Sequence, residues 1–202
     1  MKRTLYLTGL AIALIVLPAG HSLWAQTGKM ETIYSFEAPP SATYPAAGPI
    51  ISDSDVIYGT TSAGGTTTGC GYFNCGTVYE LNRPASPGGP WTETTLYSFG
   101  GFSGSDPQTG LVLGAGGKLY GWNRNAAFEL TPPVSPGGPW TETTLYGFQG
   151  SPIDGGSPTG GMAIAADGSI YGATHSGGTY NLGTVFELTP PASGTDWTLT
   201  AL

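Results

Sequence analysis

The chain has 202 residues with 13 acidic and 6 basic side chains, a net charge of −7 with histidine neutral; 9% of residues are charged, 39% apolar and 11% aromatic. The acidic balance excludes functions that depend on neutralising phosphates, such as nucleic-acid binding, and so little charge excludes a protein built from solvent-exposed helices. Gly (34) and Pro (17) fall mostly between apolar runs, as the turns of an all-β protein require.

The first element is an export signal. Lys2 and Arg3 form a basic start, Leu10–Leu17 a short apolar stretch broken by Pro18, and a cleavage site follows Ala25. The apolar stretch is too short to span a bilayer comfortably. The expected organisation is a signal peptide over residues 1–25 and a repeat domain over 26–202. Removing the signal takes away Lys2, Arg3 and no acid, leaving four basic against thirteen acidic residues, net −9. The mature chain is therefore expected to be secreted or held at the cell envelope, without engaging nucleic acid or membrane.

A leading strand is expected at residues 30–36. Three similar units follow, at about 37–99, 100–148 and 149–202. The same twelve residues, Ser-Pro-Gly-Gly-Pro-Trp-Thr-Glu-Thr-Thr-Leu-Tyr, occupy 86–97 and 135–146, an offset on the scale of one propeller blade. Three signatures recur in fixed order. Tyr-x-Phe falls at Tyr34/Phe36, Tyr97/Phe99 and Tyr146/Phe148. Tyr-Gly falls at Tyr58-Gly59, Tyr120-Gly121 and Tyr171-Gly172. Aromatic-Glu-Leu falls at Tyr79-Glu80-Leu81, Phe128-Glu129-Leu130 and Phe186-Glu187-Leu188.

In the middle unit the pattern predicts four strands. They lie at about 110–114, 118–122, 126–131 and 140–148, with a Gly-rich turn at 115–117 and a stop at Pro132-Pro133. Asp167-Gly168 supplies the corresponding first turn of the last unit. In 91–99 the β-branched and aromatic content is high. Tyr97 and Phe99 share one face and Leu96 takes the other, which suits a sheet packed between two neighbours.

These motifs resemble the GloVer (Gloeo/Verruco) tandem-repeat family over most of residues 30–202. The resemblance implies exported bacterial proteins with β-propeller-like repeats, and it carries no activity to any residue. The middle unit departs from the pattern, with Asn125-Ala126-Ala127 where its neighbours have Gly76-Thr77-Val78 and Gly183-Thr184-Val185. Three four-stranded blades fall short of the four to eight that close a ring. Two expectations follow: a stretch of a longer repeat array, or a homodimer that completes a six-bladed ring.

Residues able to do chemistry are few. Cys70 and Cys75 are expected to pair in a local disulfide, as exported chains allow; two thiolates with no nearby histidine make a poor zinc site. His175, the one histidine outside the signal, falls in a Gly-rich stretch, 174–178, that reads as a surface loop. Glu80, Glu129 and Glu187 recur at one position and Glu93 and Glu142 at another; both sets read as copied strand positions, because a catalytic pair needs two different environments. Asp53/Asp55 and Asp154 lack the spacing of calcium loops, and the Gly-rich loops at 62–66 and 176–179 lack the P-loop ending. No catalytic residue, metal or cofactor is expected. Ligand-facing candidates are Tyr72, Phe73, His175 and Tyr180 in the loops and Trp122 at the border of the short middle loop, whose aromatic rings could stack on a glycan or hold a protein ligand. The expected role is a non-catalytic binding or scaffolding module. A carbohydrate-active propeller enzyme (or fragment of one) and a purely structural array are the alternatives.

Overall fold

The computed structural model describes residues 30–38, 40–67, 75–101, 106–107, 109–150 and 153–202. The chain divides into two compact units, Met1–Thr32 and Ile33–Leu202. Of the first, residues 30–32 are described; they are exposed and belong to no strand. The second holds every strand described below.

Among the described residues the strands form three antiparallel sheets, one per repeat. The first contains β1 (Thr43–Pro45), β2 (Ile50–Ile51), β3 (Ile57–Ala63), β4 (Thr77–Asn82) and β5 (Thr92–Ser98). The second contains β6 (Val112–Leu113), β7 (Leu119–Trp122), β8 (Ala126–Thr131) and β9 (Thr141–Gly147). The third contains β10 (Gly156–Ile164), β11 (Ile170–Ser176), β12 (Thr184–Thr189) and β13 (Thr198–Ala201). In the second and third sheets each strand pairs with the next along the chain. In the first, β1 and β2 both pair with the same edge of β3 and together stand for one strand. Their registers, Pro45↔Thr61 and Ile51↔Ile57, match Pro158↔Thr174 and Ile164↔Ile170 on β10, where a bulge between Thr159 and Ala163 marks the same interruption.

The repeated signatures are cross-strand partners. Tyr58, Tyr120 and Tyr171 stand opposite Glu80, Glu129 and Glu187; Gly59, Gly121 and Gly172 stand opposite Tyr79, Phe128 and Phe186. Directly opposed residues are the unit of sheet stabilisation, so the two motifs must be kept together. The glycine leaves room for the aromatic ring lying over it. A Cβ on Gly121 would come within 2.6 Å of Phe128 Cζ, and one on Gly172 within 2.7 Å of Phe186 Cζ.

The third signature joins one sheet to the next. Tyr97 and Phe99 stack edge-on, with ring centroids 5.1 Å apart, and Phe99 lies 5.0 Å from Phe128 of the second sheet. Tyr146, Phe148 and Phe186 repeat this between the second and third sheets, at 5.3 Å for both steps. The middle sheet is thus packed on both sides. Leu111, Leu119, Phe128 and Leu130 meet Val78 and Phe99, while Trp122, Ala127 and Leu145 meet Met162, Ile170, Phe186 and Leu188.

Two expectations change. Residues 30–37 form no strand; Tyr34 and Phe36 still stack at 5.1 Å, and Phe36 packs on Tyr79 at 5.0 Å, as the later Tyr-x-Phe pairs do on the sheet that follows each. Leu96 does not simply face away from Tyr97. The pairing of β4 with β5 skips from Val78↔Tyr97 to Tyr79↔Thr95, leaving Leu96 as the extra residue of a bulge; Leu145 is skipped in the same way between Ala127↔Tyr146 and Phe128↔Thr144. A bulge re-aims its side chain, and Leu96 and Tyr97 pack against the same core between the first two sheets.

Candidate ligand cleft

The ends of the second strands, the starts of the third and the ends of the fourth lie at one end of each sheet. A buried polar clamp fixes the junction there. Thr61 and Thr174 each exchange a 2.8 Å hydrogen bond with Thr77 and Thr184, and each hydroxyl oxygen also accepts the backbone N–H of that partner at 3.1 Å. In the middle repeat Asn123 takes this place: its Oδ1 accepts the N–H groups of Ala126 (2.9 Å) and Asn125 (3.1 Å). An asparagine that caps its own turn in this way replaces a longer loop. Residues 64–76 and 177–183 join the second and third strands in the outer repeats, but 123–125 suffice in the middle one.

The short turn leaves a cleft of about 800 Å³ lined by Tyr97, Asn125, Glu142, Thr144, Gln149 and Ser157, with Phe99 and Phe148 as its apolar part. One wall is the loop after β9. Buried Asp154 anchors it, accepting hydrogen bonds from the Tyr146 hydroxyl (2.7 Å) and the backbone N–H groups of Gln149 (2.9 Å) and Gly150 (3.0 Å). Burial, reinforced by the Asp154 carboxylate, pushes the Tyr146 hydroxyl up to about 12. A second cavity of about 240 Å³ is lined by Asp106, Thr109, Trp122, Asn123, Arg124 and Ser157, so the two share Ser157 and the 123–126 turn. Asp106 and Ser157 are left-handed non-glycine residues (φ 62 and 52), each followed by a proline, and Tyr44 (φ 58) holds the same place in the first repeat. Such backbone costs on the order of 1–3 kcal/mol per residue and tends to collect at functional sites.

Two classes of carboxylate differ in surroundings. Glu129 receives Lys118 Nζ at 2.8 Å and the Thr131 hydroxyl at 2.8 Å. Burial raises its pKa, but hydrogen bonds from Lys118, Tyr120 and Thr131 outweigh this and hold it below the usual range. Tyr120 is raised in turn by burial and by Glu129, and Tyr171 is raised by its hydrogen bond with Glu187. In the second and third repeats this recurring glutamate is committed to its cross-strand tyrosine, and in the first Glu80 accepts Asn82 Nδ2 at 2.9 Å. Glu142 is half-buried and its pKa is raised by burial, with only the Thr144 hydroxyl (3.1 Å to Oε1) opposing. Glu93, its counterpart in the first repeat, is raised by burial in the same way against Thr95.

The sequence-derived candidates separate. Trp122 ends β7 at the border of the short turn, is 1% exposed, and packs between Phe148 (6.4 Å) and Phe186 (5.6 Å) while lining the smaller cavity. With the short turn, the strand continues to this residue and buries the indole under the third sheet. His175 lies in β11 and not in a loop, although its side chain is exposed. Tyr180 is 84% exposed in the turn after β11. Cys70, Tyr72 and Phe73 lie outside the described residues. Cys75 is buried in the core between the first two sheets. Sequence reasoning missed Asn125, Gln149 and Ser157 as cleft residues; the signal was the departure at 125–127 from its neighbours' Gly-Thr-Val. Among the described residues no group of three or more His, Cys, Asp or Glu side chains could hold a metal ion.

Successive antiparallel sheets stacked through one repeated aromatic contact define an all-β tandem-repeat protein with blade-like units. The model of the Gloeobacter/Verrucomicrobia repeat matches residues 21–200, and the chain belongs to that family. No curated protein matches its sequence.

Proposed function

We propose that this chain is an exported, non-catalytic repeat protein that acts as a binding or scaffolding module at the cell envelope or outside, with its ligand held in the cleft over the 123–125 turn. The observation that carries the proposal is that cleft. Its volume is that of a small-molecule site, and its polar groups sit on a packed two-sided sheet, the usual division between scaffold and recognition surface. Export is supported by the basic start and apolar stretch of residues 1–25, and a Cys70–Cys75 bridge belongs to the same proposal. The non-catalytic reading is supported by the lining. Glu142 is the single carboxylate among the described cleft residues, whereas glycoside hydrolysis in its common forms uses two.

Plugging the cleft tests the proposal. Gly147 lines it, has no left-handed backbone, and has open space around a Cβ; the first repeat carries Ser98 at this place. Gly147→Trp is expected to leave the thermal midpoint within a degree or two, about 0.5 kcal/mol or less. Retention of the processed protein on a panel of immobilised envelope glycans should fall at least about tenfold, the equivalent of about 1.4 kcal/mol. Undiminished retention would place binding elsewhere.

A further inference from the structure

We propose that the cleft recognises an amino sugar, seating a protonated glucosamine amine against the Glu142 carboxylate beside the rings of Tyr97 and Phe148, with Asn125, Gln149 and Ser157 facing the sugar hydroxyls. The inference rests on the binding-module reading above and names the ligand class for it.

Charge narrows the choice first. Among the described residues no Lys, Arg or His lines the cleft, so phosphates, sulfates and uronic acids find no counter-charge from them. Glu142, half-buried, has no ion-pair partner: the ion pairs among the described residues are Arg83–Asp55 and Lys118–Glu129. Its one side-chain hydrogen bond, from Thr144, reaches Oε1, which leaves Oε2 without a donor among the described residues. A partly desolvated carboxylate with spare acceptor capacity favours a ligand that brings a cationic donor.

The aromatic rings narrow it further. Tyr97 and Phe148 are both half-buried and both line the cleft. Aromatic faces beside a carboxylate attract an ammonium group and offer stacking area for the apolar face of a sugar ring. The hydroxyl- and amide-bearing lining suits a ligand rich in hydroxyl groups better than a lysine side chain, whose stem is apolar.

Repetition supplies an internal contrast. At the next junction the place of Glu142 is taken by Leu199, since Leu188 pairs with Leu199 as Leu130 pairs with Glu142. Tyr146, the counterpart of Tyr97, gives its hydroxyl to Asp154 there, whereas the Tyr97 hydroxyl makes no hydrogen bond among the described residues. Both the carboxylate and the uncommitted tyrosine are therefore lost at the following junction, while Glu93 and Tyr34 keep the pair in the first repeat.

Calorimetric titration of the processed protein with a glucosamine tetramer and with its N-acetylated form tests the inference. The amine form is expected to bind at least about tenfold more tightly, the range of a charge-assisted contact. Glu142→Gln should remove that preference, Glu142→Asp should keep part of it, and Asp53→Asn, a distant exposed charge change, should leave it intact. Melting of each variant without ligand checks that the fold survives. Equal or tighter binding of the N-acetylated form overturns the inference, as does an unchanged preference in Glu142→Gln or stronger competition from a lysine-rich peptide. In those cases a glycan-panel signal that still disappears in Gly147→Trp leaves the binding module standing without its amino-sugar ligand; loss of the Gly147→Trp effect removes the module reading itself.

Discussion

Phe128→Ala is expected to cost about 3–5 kcal/mol of folding stability, the range for truncating a fully buried aromatic side chain. Phe128 is 0% exposed. Its ring lies over Gly121 in its own sheet and against Phe99 of the preceding one. Leu111, Leu119, Leu130 and Val78 belong to the same cluster. Leu119, Leu130 and Val78 are held by ladders on both sides, so the cavity cannot readily collapse. The urea midpoint of the protein should drop with little change in slope. A loss below about 1 kcal/mol, the level of an ordinary substitution, would mean that the first two sheets are not packed through this residue.

The second large effect comes from adding atoms. Gly121→Val should destabilise by about 1–3 kcal/mol or more, as overpacking does. Valine suits a strand, so propensity alone forecasts no loss. The cost is steric: a Cβ at this position lies 2.6 Å from Phe128 Cζ and 3.1 Å from Leu111 Cδ2. A lone ring tip could swing aside, but Phe128 is wedged against Phe99. The same valine should therefore be far less harmful once Phe128 is alanine, because it fills the space the ring leaves. Urea unfolding of both single variants and the double variant reads this directly. A double variant as unstable as the sum would show that Gly121 and Phe128 do not share that space.

Much of this was legible in the repeats. The third strand of the middle unit is found where the pattern puts it, at Ala126–Thr131, because Pro132-Pro133 ends it and Asn125 starts it. The recurrence of Tyr-Gly and aromatic-Glu-Leu was visible; that they face each other is a matter of register, which one strand alone does not reveal. The first strands were harder to see. Gly156–Ile164 contains Pro158, Gly160 and Gly161, and its ladder with β11 is bulged, so neither propensity nor alternation marks it. Residues 30–36 have strand composition but pair with no strand among the described residues, and pairing is something composition does not report. The strand ending at Trp122 was legible, but that its indole packs between Phe148 and Phe186 depends on how the sheets stack, which the strand pattern does not report. The cleft was least legible, since Tyr97, Asn125, Glu142 and Ser157 come from four separate segments and no spacing connects them. Glu142 and Glu129 look alike as repeated acids; only their partners distinguish a residue committed to Lys118 and Tyr120 from one with acceptor capacity to spare.

The stacking of each repeat on the next through Tyr-x-Phe is the claim on which the cleft and its ligand depend. A double-mutant cycle on Phe99→Leu and Phe128→Leu, followed by urea unfolding, tests it most directly. Rings in edge-to-face contact predict a coupling of about 0.5–1.5 kcal/mol beyond the two single losses. Losses that add to within a few tenths of a kcal/mol, as for sites with no shared contact, would contradict it.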